Sequence, residues 1–83
     1  GPAATAAELQ RFHDTLFAAY AEEIGGNAVF RMKEWWFYAK YAFADPATVH
    51  KLVRKTKKVD EYRAAVERVF REQPLAPIAH FYG

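Results

Sequence analysis

Eighty-three residues without a cysteine make one domain held by packing alone; disulfides and thiolate metal sites are excluded, and a reducing, cytoplasmic setting is expected. No apolar run approaches the roughly 18 residues needed to span a membrane, and the absence of serine removes a common nucleophile. The net charge of +2 hides an asymmetry: residues 31–58 carry eight cations against Glu34 and Asp45, whereas the rest carries four cations against eight carboxylates. Such a chain suits one basic face, which needs an anionic partner, and one ordinary solvated face.

Gly1-Pro2 reads as the scar of a cleaved tag, so residues 1–4 are expected to lie outside the fold of an excised piece of a longer protein. Thr5 and Glu8 stand in capping-box spacing. After them Leu9, Phe12, Leu16, Tyr20 and Ile24 recur every three to four residues, which predicts a helix over about 5–24. Gly25-Gly26 stops it, and Asn27 is expected to cap a second helix over about 28–43. On that helix Val29, Met32, Trp36, Ala39 and Phe43 share one side, flanked by Ala28, Trp35 and Ala42. Asp45-Pro46 marks a restart, because aspartate caps and proline is tolerated at the first helical position.

The third helix, about 46–55, turns Val49, Leu52 and Val53 inward, and the cationic run Arg54-Lys55-Thr56-Lys57-Lys58 covers the following turn. The fourth, about 59–72, has Tyr62, Ala65, Val66, Val69 and Phe70 inward, with Glu67–Arg71 and Arg68–Glu72 paired outside. Pro74 and Pro77 then predict an extended tail over 74–83, carrying Leu75, Ile78, Phe81 and Tyr82. No strand-like alternation occurs anywhere. The expected fold is all-α: a four-helix up-and-down bundle, residues 5–73, with an extended Pro-containing C-terminal tail.

The chain shows no constellation for catalysis. It lacks a Gly-rich phosphate loop, no histidine pair has metal-ligand spacing, and His13 and Asp14, though adjacent, project about 100° apart on a helix. No catalytic, cofactor-binding or metal-binding residue is expected within it, and His50 reads either as a phosphate contact or as a plain surface histidine. The positive signal is for binding. Residues 30–43 hold seven of the fourteen aromatic residues, interleaved with Arg31, Lys33 and Lys40.

Phe30, Lys33, Phe37 and Lys40 form one stripe of the second helix, and Arg31, Trp35 and Tyr38 form another. Lys51, Arg54, Lys55 and Lys58 share a face of the third helix and its exit, with Lys57 beside them. If the second and third helices pack side by side, these sets join into one cationic surface. Cations that neutralise phosphates supply non-specific nucleic-acid affinity, and rings that stack on splayed bases are a usual device for RNA. A core role stays open for Trp35 and Trp36. So does cover of a neighbouring domain, or of Phe81 or Tyr82 in the tail, by Phe30 and Phe37, and a purely solvated role for the basic turn.

The run Arg31-Met32-Lys33-Glu34-Trp35-Trp36-Phe37-Tyr38-Ala39-Lys40 resembles the R-x-K-x-W-x-x-Y-x-(K/R) helix in the C-terminal helical domain of bacterial tRNA-dihydrouridine synthases. The Gly-rich turn before it, the Val49–Arg54 segment and a last helix containing Glu61-Tyr62-Arg63-Ala64-Ala65 agree with that family, so the resemblance covers about residues 8–73. It implies a parent flavoprotein that reduces uridines of tRNA with FMN and NADPH, both bound by a separate N-terminal catalytic barrel. It also implies that the helical domain, expected to act as a monomer, grips tRNA through Arg31, Lys33, Trp35, Tyr38 and Lys40. Lys51, Arg54, Lys55, Lys57 and Lys58 are added on electrostatic grounds. A protein–protein module docking through exposed aromatics is the alternative. A helix-turn-helix reading is weaker, since the third helix is short and lacks the spread of Asn, Gln and Arg that reads base edges.

Overall fold

The computed structural model describes residues 5–77 of the 83. The expectations for residues 1–4, and for Ile78, Phe81 and Tyr82 in the tail, lie outside the described residues. Within them the chain is all-helical, with no strand. Helices α1 (Ala6–Ile24), α2 (Ala28–Ala39) and α4 (Val59–Glu72) have 12 to 19 residues, and α3 (Pro46–Arg54) has 9.

The starts and stops obey local chemistry. The Thr5 hydroxyl accepts from the Glu8 amide at 3.1 Å and so satisfies one orphan donor of α1. At the other end Gly25 takes φ +62°, a value that L side chains rarely adopt, while its amide closes on the Ala21 carbonyl. A 3-10 turn, Gly25–Asn27, then leads directly into α2. Asn27 is therefore no cap: its backbone is already helical and its side chain makes no capping bond.

Helix α2 also ends earlier than expected. Its last turn tightens into a 3-10 turn, Lys40–Ala42, and Phe43 leaves in extended conformation. Phe43 and Leu75 pair as an isolated antiparallel bridge, with the Ala44 amide donating to Pro74 at 2.9 Å and the Ala76 amide to Ala42 at 2.8 Å. Backbone pairing with the segment after α4 thus replaces the final α-helical turn. Asp45 caps α3, accepting from the Thr48 amide (3.1 Å) and hydroxyl (2.6 Å), and these bonds hold its carboxyl below the usual carboxylate range. Glu61 does the corresponding work for α4, accepting the Lys58 and Lys57 amides.

The core joins Ala28, Val29, Met32, Trp36 and Phe43 of the α2 region to Val49 and Val53 of α3 and to Tyr62, Val66 and Val69 of α4. These inward positions keep the 3.6-residue period on each helix. Helix α1 differs from expectation. Its buried residues are His13 and Phe17; Phe12 is 57% exposed, and Leu9, Leu16, Tyr20 and Ile24 pack at the margin. The true face passes through a histidine, which a stripe drawn from apolar residues alone steps over.

Candidate nucleic-acid interface

The register of α2 decides where its cations go. With Met32 and Trp36 buried, Lys33 and Phe37 each follow a core residue by one position, and Lys33 meets α3. Lys33 makes the junction: its ammonium donates to the Arg54 carbonyl at 3.1 Å, placing a cation on the negative end of α3. It also lies 5.3 Å from the centre of the Phe30 ring. Lys40 stands over two rings, 4.5 Å from Phe37 and 5.2 Å from Tyr41, a cation–π arrangement in which Tyr41 is 61% exposed.

Between the Lys40–Ala42 turn and α3 opens a groove of about 480 Å3, walled by Lys40, Tyr41, Pro46, Ala47, His50, Lys51 and Arg54. Three cations and one aromatic ring face a common space without a carboxylate among the lining residues. A second depression, lined by Lys33, Glu34, Phe37 and Tyr38, lies further back along α2.

The other expected residues divide. Arg31 turns toward α1, its guanidinium 5.6 Å from the Tyr20 ring centre. Trp35 is half-buried in the α1–α2 seam, stacked on Phe12 at 6.0 Å, edge-on to Trp36 at 4.9 Å and beside His13 at 5.6 Å. Tyr38 is exposed and meets Phe37 edge-on. The stripe Arg31–Trp35–Tyr38 therefore does not stay together as a surface.

Lys51 and Arg54 join Lys40 at the groove. Lys55 instead lines an α3–α4 depression with Leu52, Thr56, Glu61, Ala64, Ala65 and Arg68. Lys57 and Lys58 are exposed in the α3–α4 turn. Sequence reasoning missed Tyr41 as a lining residue and left His50 undecided. A 3-10 turn advances about 120° per residue where an α-helix advances 100°, so a wheel extended past Lys40 mislocates Tyr41 and its successors.

A polar relay crosses the core behind this face. The Trp36 indole N–H donates to the Tyr62 hydroxyl at 2.8 Å, and that hydroxyl is 2.6 Å from His13 Nε2. The Asp14 carboxylate can only accept, so His13 Nδ1 carries the hydrogen and donates to Asp14 Oδ1 at 2.9 Å; in the neutral ring Nε2 is then the acceptor, and the Tyr62 hydroxyl donates to it. The expected divergence of His13 and Asp14 is thereby corrected: their Cβ directions differ by one helical step, but the Asp14 carboxylate bends back to the ring. Burial lowers the His13 pKa against the upward pull of Asp14, and burial pushes the Tyr62 phenol upward. Burial thus favours the neutral imidazole, which is enclosed and bonded at both nitrogens, and the His13–Tyr62–Trp36 bonds tie α1, α2 and α4 together.

Among the described residues no group of three or more His, Cys, Asp or Glu could hold a metal ion, and no helix is long and apolar enough to cross a membrane. No protein-family model, curated protein or solved structure matched the chain.

Proposed function

We propose that this chain is the RNA-binding helical domain of a flavin-dependent tRNA-dihydrouridine synthase, gripping tRNA so that a uridine reaches the FMN of a separate barrel domain. The observation that carries the reading is the convergence of Lys40, Lys51 and Arg54 around an exposed aromatic ring. Of the α2 motif that resembles the family, Lys40 reaches the groove, while Arg31, Lys33 and Trp35 are engaged within the fold. An up-and-down course of the four helices, expected from their short connections, belongs to the same reading.

The domain's contribution is positional. Holding the RNA relative to the flavin reduces the entropic part of the barrier, and contacts of this kind offset the unstacking of the target base. Charge neutralisation supplies affinity, and Lys40, Lys51 and Arg54 are available for it in a way that Lys33, donating to a backbone carbonyl, is not. The test is tRNA binding by the wild-type chain and by a Lys40→Glu/Lys51→Glu variant with an unchanged circular dichroism spectrum. Weaker binding by the variant is expected; equal affinity removes the face from the account.

The second reading is a protein-interaction module, favoured by Phe30 and Phe37, which are more than half exposed on one stripe. In the first reading these rings are suited to contact with the barrel. An aromatic-centred protein interface barely responds to salt, whereas RNA binding falls steeply with it.

A further inference from the structure

We propose that the groove between the Lys40–Ala42 turn and α3 seats one unstacked nucleotide of a single-stranded RNA segment, its base on the Tyr41 ring and its phosphate on Lys51 and Arg54. The proposal rests on the RNA-binding reading and narrows it, from a basic face that attracts any polyanion to a subsite that distinguishes splayed bases from a duplex.

Four observations carry it. The groove, about 480 Å3, lies within the roughly 300–1,000 Å3 range of small-ligand sites. Tyr41 is outside the core and 61% exposed, so its ring is available as a platform. The one acid beside the groove in sequence, Asp45, is not among the lining residues, and its two oxygens are engaged by the Thr48 amide and hydroxyl. Pro46 and Ala47 supply an apolar wall without competing charge. The groove between α1 and α4 shows the contrast: it mixes Asp14 and Glu67 with Arg63, and so has no net preference for phosphate.

Duplex RNA keeps its base faces stacked inside, and an aromatic ring beside cations gains from a base only where the strand is open. Lys40 already stands over the Tyr41 ring, so the cation and the stacking surface share one mouth. The Arg54 backbone is anchored by Lys33 through its carbonyl while its side chain is exposed. The guanidinium is therefore presented from a fixed point without being committed to the fold.

The test uses the whole 83-residue chain with a fluorescent ten-nucleotide oligouridylate and the same strand paired with oligoadenylate, read by anisotropy at low salt. Tyr41→Leu is expected to weaken single-strand binding roughly 5- to 160-fold, the effect of losing one base stack, and to leave duplex binding within about twofold. Lys51→Glu/Arg54→Glu weakens both, and Lys57→Glu/Lys58→Glu, away from the groove, weakens either less.

Unchanged single-strand affinity in Tyr41→Leu, with the Lys51/Arg54 variant still impaired, overturns the nucleotide subsite and leaves the RNA-binding face standing. A turn variant as impaired as the groove variant overturns the location. Absence of binding by the wild-type chain to either RNA overturns the functional reading together with the subsite.

Discussion

Replacing Tyr62 by phenylalanine tests the packing account most sharply, because it deletes one oxygen and leaves the ring in place. The ring stays 5.0 Å from Phe17 and 5.7 Å from His13, so no large cavity opens. The lost hydroxyl, however, is the shared partner of Trp36 Nε1 and His13 Nε2. Two buried polar atoms are then unpaired, and each such group costs about 1–3 kcal/mol. A combined loss of about 3 kcal/mol corresponds to a melting temperature roughly 12–24 °C lower in a domain of this size. Thermal and urea unfolding monitored by circular dichroism measure it directly. Tyr38→Phe, at a ring 75% exposed, is the control and stays within about 0.5 kcal/mol of wild type. A Tyr62→Phe protein as stable as that control would show that the relay does not hold the helices, and the account of the core would be wrong.

Stability falls on acidification from pH 7.5 to 5.5. Burial lowers the His13 pKa, so below its ordinary value of 6.5 the unfolded chain takes up a proton that the folded chain resists, and the loss continues down to the folded pKa. Asp45, Glu61 and Glu72, all held below their ordinary values, lose their contributions only at lower pH, so these carboxylates do not contribute within the window. Urea midpoints should shift with pH in the wild type and shift less in His13→Gln; a wild-type profile no steeper than that of the variant contradicts the buried neutral imidazole. Trp35→Leu should lower unfolding stability by about 1–2 kcal/mol through lost packing. It should leave RNA affinity within about twofold, since Trp35 faces the α1–α2 seam. An RNA defect without a stability defect would return Trp35 to the interface.

Much of α2, α3 and α4 was legible because an amphipathic period of 3.6 needs only neighbours in sequence. Met32 and Trp36, Val49 and Val53, and Tyr62, Val66 and Val69 lie where the wheel puts them. Asp45-Pro46 marked a helix start through purely local bonds. The features that escaped were set by distant partners. His13 is buried because a hydroxyl 49 residues away satisfies it, and nothing near His13 announces Tyr62. Helix α2 stops short because its end pairs with Leu75. The candidate site was half legible for the same reason. The cations were evident, but which of them meet depends on where α3 docks, and that docking sets Lys40, Lys51 and Arg54 apart from Arg31, Lys55, Lys57 and Lys58.

The salt dependence of RNA binding by the isolated chain tests the central claim most directly. Three groove cations releasing counterions from a single strand give log K against log salt a slope of about −2 or steeper. Affinity for the oligouridylate should then fall at least about 15-fold between 50 and 200 mM salt. Lys51→Glu/Arg54→Glu, with its fold intact, should lose more than half of that slope. Binding that is absent at low salt, or whose affinity does not change across this range, would contradict the claim that this face exists to hold RNA.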